Sequence, residues 1–227
     1  MTEKILLICC FVLLSLIPTA KAEFISPDKV TAHTEKYVPQ ILDIPQGTFY
    51  YGIKWQGIPV ADAAITVSKV TEDTKDYWDI SISATSSSIV AIFYSLEFSG
   101  HAVFSAADFR PKLFRTEQTE NGRKSERMIQ FREDGTLEAV RTKRGKIAEK
   151  LAFNPNNLLF DPISGAFFVR SLDLAVGHKV DVDIYNCRHR YIVSFLSNKV
   201  EQIKVAKQTY QAINLVPSLK RLTDTEA

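Results

Sequence analysis

Phe49-Tyr50-Tyr51-Gly52-Ile53-Lys54-Trp55-Gln56-Gly57-Ile58-Pro59-Val60-Ala61-Asp62-Ala63-Ala64-Ile65-Thr66-Val67 sets the period of this chain at two residues. Phe49, Tyr51, Ile53 and Trp55 recur at every second position. Gly57-Ile58-Pro59 breaks the run, and Ala61, Ala63, Ile65 and Val67 then alternate with Asp62, Thr66 and Ser68. Successive side chains of a strand point to opposite faces, so the stretch reads as two strands joined by a turn, each with one face prepared for burial.

Working outward toward the C-terminus, Trp78, Ile80 and Ile82 alternate with Asp79, Ser81 and Ser83 and predict a third strand. Between Ser86 and Leu96 the spacing changes. Ile89, Val90, Ile92, Phe93 and Leu96 recur at helical intervals behind Ser86-Ser87-Ser88, a cluster suited to N-capping, and predict a short amphipathic helix. Strand character returns at 97–104. The dipeptides Asn121-Gly122, Asp134-Gly135 and Arg144-Gly145 then supply the positive φ that tight hairpins need, so the middle third reads as an antiparallel meander. Asp161-Pro162 opens a second helix, with Asp as N-cap and Pro at the first helical position, where its missing N–H costs nothing. The segment 163–169 is apolar nearly all round, which predicts a buried helix against the concave face of the sheet. Further strands are expected at 180–184, 191–196, 199–206 and 209–216.

Toward the N-terminus, residues 23–46 hold Pro27, Pro39 and Pro45 with little periodicity and read as a tether. Ahead of it, Ile5 to Ile17 is apolar except for Ser15, Pro18 breaks the run, and Ala20-Lys21-Ala22 is a small-x-small triplet. This order describes a secretory signal peptide, 1–22, cleaved after Ala22, and hence a periplasmic product. A stretch of thirteen residues reaches only about 20 Å as a helix, short of the roughly 30 Å hydrocarbon core. No later stretch is apolar for a membrane-spanning length, so no transmembrane segment is expected in the mature chain. Cleavage would leave Cys187 as the one cysteine, which excludes an internal disulfide and suits a buried small apolar residue. The 227 residues are 45% hydrophobic and 24% charged with a formal charge of +2, so a sizeable core is affordable and no nucleic-acid partner is indicated. The domain reading is 1–22 signal, 23–46 tether and 47–227 a single β-rich domain.

Two segments resemble a family. Tyr51-Gly52-Ile53-Lys54-Trp55-Gln56-Gly57-Ile58-Pro59-Val60-Ala61 is similar to the opening hairpin of an uncharacterised group of exported bacterial β-rich proteins known only as a domain of unknown function. Asp161-Pro162-Ile163-Ser164-Gly165-Ala166-Phe167-Phe168-Val169-Arg170 is similar to its central helix. The resemblance runs from about Thr48 to Leu219. It implies a mainly β fold, a single curved antiparallel sheet (half-barrel or open barrel) wrapped around one or two short helices in the periplasm, and it implies no reaction. In such proteins the sheet continues beyond the segment matching 210–220, which implies a chain truncated at its C-terminus.

The residues themselves point to little chemistry. Cys187, His189 and Asp183 are the nearest approach to a metal cluster and fall short of the four ligands of a closed site, so neither metal nor cofactor is assigned. No Gly-x-Ser-x-Gly elbow or phosphate-cradling loop occurs, and no catalytic residue is assigned. From Arg110 to Lys150 there are twelve Lys or Arg against seven Asp or Glu. That excess reads either as solvated hairpins paired across strands or as a basic face for an anion, with Arg110, Lys112 and Arg115 as its rim.

Phe49, Tyr51, Trp55, Trp78, Phe93, Phe104, Phe160 and Phe167 are all expected to point inward, as a filled core or as the wall of an apolar cavity. Three classes of function stand. One is a non-catalytic periplasmic protein binding or carrying an apolar or amphipathic, lipid-like ligand, with Ile89, Phe93, Phe160 and Phe167 lining the site. The second is an assembly or interaction factor with an envelope protein partner and no small ligand. An enzyme is the third, and the reading decides against it.

Overall fold

The computed structural model describes residues 37, 38, 40, 44–155, 157–205 and 207–222; the segment read as a signal peptide and most of the segment read as a tether lie outside them. The protein is mainly β, with antiparallel sheets and two short helices, and it does not close into a barrel. The expected sheet is divided in two, one of eight strands and one of three. The described residues correspondingly form two compact units, one holding 44–155 and the other 37–40 with 157–222.

The first unit is a meander: β1 (Gly47–Trp55), β2 (Ile58–Glu72), β3 (Lys75–Ser86), a one-turn helix α1 (Ser88–Ala91), β4 (Leu96–Ser105), β5 (Pro111–Glu120), β6 (Arg123–Phe131), β7 (Leu137–Lys143) and β8 (Lys146–Phe153). The strands stand in the sheet in sequence order. The period of two becomes two faces. Val67, Ile80, Ala102, Phe114, Ile129 and Ala139 lie directly opposite one another from strand to strand, and all are buried. One residue along, Thr66, Ser81, His101, Arg115, Met128 and Val140 form the matching row of the other face. Burial of the first row at about 1.5–3 kcal/mol per large side chain holds the register, because a slip of one residue would exchange the two rows.

The second unit holds helix α2 (Pro162–Ser171) and strands β9 (Lys179–Tyr185), β10 (Arg190–Val205) and β11 (Gln208–Arg221), in sheet order β11-β10-β9. The segments read as separate strands at 191–196 and 199–206 belong to one strand, β10, irregular between Ser197 and Lys199. α2 begins as its sequence predicts. Asp161 accepts from the backbone N–H of Ile163 (2.8 Å) and Ser164 (3.0 Å), and Pro162 follows it. Nearly the whole helix is buried, with β9 as its neighbour within the unit, and Phe168 stacks on Phe160 at 4.7 Å between ring centroids.

Two expectations are corrected. The helix read between Ser86 and Leu96 is a single turn with none of its residues buried. Ser87 Oγ donates to the Pro59 carbonyl (2.9 Å) instead of capping the turn, and one turn returns too few hydrogen bonds to offset nucleation. The inward-pointing aromatic set also divides. Trp78, Phe104, Phe160 and Phe167 are buried, whereas Phe49, Trp55 and Phe93 are exposed. Phe49 lies on the edge strand, Trp55 beside a turn and Phe93 just past α1, positions where a correct period does not guarantee a covering layer.

Candidate functional site

Connections of an antiparallel meander alternate between the two ends of its strands. In the first unit the β1–β2, β3–β4, β5–β6 and β7–β8 connections therefore share one end. Gln56-Gly57 makes the first of them with both φ positive (49° and 83°), the two-residue geometry that matches strand twist. Trp55 and Ile58 flank that turn, and the β3–β4 connection adds Ile89, Ile92 and Phe93; all five are exposed, Phe93 at 85%.

Hydrogen bonds stitch the four connections together. Ser87 N–H donates to the Val60 carbonyl (2.9 Å) and ties α1 to the first hairpin. Asn121 N–H donates to the Ser95 carbonyl (2.8 Å), Ser95 N–H returns to Asn121 Oδ1 (2.9 Å), and Arg144 N–H donates to the Lys124 carbonyl (3.0 Å). Apolar tips on one side and basic turns on the other thus share one surface. Lys54, Arg123, Arg144 and Lys146 are exposed there and have no ion pair among the described residues. Lys124 differs: Glu126 and Glu117 hold its ammonium, and its pKa is raised by them. Glu120 accepts from the Tyr94 hydroxyl (2.8 Å), whose pKa is pushed up to about 12 by burial and then by that carboxylate.

The opposite end is built differently. A recess of about 1300 Å³ lies among the β2–β3, β4–β5 and β6–β7 connections. Its cations are paired: Lys69 with Asp76 (2.7 Å), Lys75 with Glu133 (3.0 Å), Arg110 with Asp108 (3.0 Å), and Lys112 with Glu72. Lys112 also stands 4.5 Å from the centre of the Tyr77 ring. On the polar face a smaller recess of about 400 Å³ is lined by small residues such as Thr66, Ser81 and Ser99. His101 Nε2 meets Asp79 (3.0 Å) and Arg115 meets Glu117 (2.6 Å) beside it.

The second unit buries the ionisable groups of Asp161, Asp183 and Arg190. Asp183 and Arg190 form an ion pair with side chains 0% and 1% exposed, and Asn157 bonds to both partners at 2.9 and 3.2 Å. Asp183 is therefore engaged by a guanidinium, while Cys187 is buried and His189 stands edge-on to Tyr191. Among the described residues no three His, Cys, Asp or Glu side chains gather as a metal cluster.

The residues singled out from sequence do not converge. Ile89 and Phe93 lie exposed at the α1 end of the first unit, whereas Phe160 and Phe167 are buried in the second. Arg110 and Lys112 sit at the opposite strand end from Phe93, about 30 Å away along a ten-residue strand, and Arg115 is on the polar face. Sequence reasoning does not place Trp55, Ile58, Ile92, Lys54, Arg123, Arg144 and Lys146 together: Trp55 is expected to point inward, and the last three are counted only within the basic stretch 110–150. The parity of turns in a meander was the available signal: Gln56-Gly57, the Ser-rich segment, Asn121-Gly122 and Arg144-Gly145 are alternate connections and must share an end.

Fold and surface define a mainly β protein of two antiparallel sheets with an apolar and basic end on the larger one. The chain belongs to the family described as protein of unknown function (DUF3108), whose pattern matches residues 50–225. Comparison with curated proteins and with solved structures found no match to either. Among the described residues no helix is long and apolar enough to cross a membrane.

Proposed function

We propose that this chain is a non-catalytic protein of the bacterial cell envelope that engages an apolar or amphipathic, lipid-like partner with the α1 end of its eight-stranded sheet. The observation that carries the reading is the exposure of Trp55, Ile58, Ile89, Ile92 and Phe93 on connections tied together by backbone hydrogen bonds. Large contiguous apolar patches are uncommon on soluble proteins and mark contact sites. Covering each of these side chains would contribute about 1.5–3 kcal/mol, so several together support binding even after the cost of association. A carrier that encloses its ligand around Phe160 and Phe167 is less well supported, since Phe160 already stacks on Phe168.

The chain has two tryptophans, and only Trp55 is exposed; Trp78 is 4% accessible. Emission therefore reports the proposed surface. Titration with lysophosphatidylcholine micelles should give a saturable blue shift that disappears in Trp55→Phe and weakens strongly in Phe93→Asp. A flat titration of the folded parent would remove the basis for this reading.

A further inference from the structure

We infer that the partner of this end is the surface of an anionic lipid bilayer, a deepening that rests on the proposed engagement of amphiphiles. The inference comes from how the two ends of one sheet treat their cations. At the recessed end Lys69, Lys75, Arg110 and Lys112 each have a carboxylate within ion-pair distance. At the α1 end Lys54, Arg123, Arg144 and Lys146 have none among the described residues. The carboxylates of Glu117 and Glu126 at this end are taken up by Lys124, and that of Glu120 by Tyr94. Apolar tips and unpaired cations therefore occupy neighbouring connections, joined by the Asn121–Ser95 and Arg144–Lys124 backbone bonds.

Each half of that surface matches one layer of a bilayer. The Trp55 indole suits the boundary between headgroups and acyl chains, where its apolar body and its N–H are both satisfied, and the Phe93 ring suits the acyl side of it. Exposed Lys and Arg beside them meet lipid phosphates, and because the turns project separately, apolar and basic groups can reach the plane together. A nucleic-acid duplex, its bases already stacked and paired, would use the cations and leave the rings in water. A partner groove would use the rings and leave the cations without a role.

The test uses the full chain and vesicles carrying brominated acyl chains, which quench tryptophan only where it enters the membrane. This readout is local to Trp55, so binding by other segments, including the apolar stretch near the N-terminus, does not produce it. Quenching is expected in phosphatidylcholine vesicles containing phosphatidylglycerol, and little in phosphatidylcholine alone. Arg123→Glu and Arg144→Glu should each raise the lipid concentration needed by about fivefold or more, and added salt should do the same. Phe93→Asp should abolish quenching, whereas Val200→Asp, an exposed apolar site of the second unit, should leave it unchanged. Equal quenching in both lipids would overturn the anionic surface while leaving the amphiphile reading intact. No quenching in either, despite a blue shift with micelles, would overturn membrane docking altogether. A blue shift that grows with protein concentration without lipid would assign the surface to a second copy and also overturn it.

Discussion

Asp161 carries two demands at once. It is fully buried and caps α2, accepting from two backbone N–H groups and from Ser164 Oγ at 2.6 Å. Burial pushes its carboxyl up to about 6 from an ordinary 3.8, and the hydrogen bonds it accepts oppose that rise. Because the folded value lies above the unfolded one, the native state holds the proton more firmly. The group's stabilisation is then complete below about 3.8, falls as pH rises toward 6, and is gone above it. Asn keeps a capping acceptor and does not ionise. The stability of the parent relative to Asp161→Asn should accordingly fall by on the order of 2–3 kcal/mol between pH 3.5 and pH 7, read from urea unfolding at each pH. A difference that does not move with pH would show that the cap bonds fully offset burial. Asp183 solves the same problem by another route, with Arg190 and Asn157 around it in place of a helix terminus.

At the scale of elements, the two helices show what decides whether a helical pattern becomes a helix. α2 has its N-cap, its proline and a strand to pack on, and it persists through Ser171. α1 has the apolar spacing alone and stops at Ala91. The packing of α2 is close enough to be tested at Gly165, where an added Cβ would meet Ile184 Cδ1 at 3.1 Å and Phe160 Cβ at 3.3 Å. Alanine improves helix propensity by roughly 1 kcal/mol, and crowding a packed interior costs about 1–3 kcal/mol. Phe160 is held in a bridge to Ile184 and cannot retreat freely, so crowding should win. Gly165→Ala is expected to lower the denaturant midpoint by the equivalent of about 1 kcal/mol, and a raised midpoint would mean that strand and helix give way.

For the molecule as a whole, the order β1 to β8 has a consequence larger than any strand: it sorts the loops into two groups of different character. One group gathers charges into pairs around a recess, and the other presents rings and unpaired cations. The tryptophans report this architecture directly, since Trp55 belongs to an exposed connection and Trp78 to a buried strand face. Acrylamide quenching of the native protein should show two populations, one accessible and one shielded, with a downward-curved Stern–Volmer plot that becomes linear in denaturant. A linear native plot would contradict the placement of one of them.

Sequence by itself determined the alternation of strands, the glycine-bearing turns, the buried Cys187 and the Asp161-Pro162 helix start. Each of these depends on residues near one another in the chain, where steric preference and hydrogen-bond geometry act directly. The tertiary structure decided that the strands form two sheets, that Phe49, Trp55 and Phe93 lack a cover while Trp78 and Phe104 have one, and which cations find carboxylates. Period two states only that a strand has two faces. Whether a face is covered, and which loops become neighbours, depends on residues distant in sequence brought together by pairing. The apolar and basic end is a property of strand order, and local spacing could supply its residues but not their assembly.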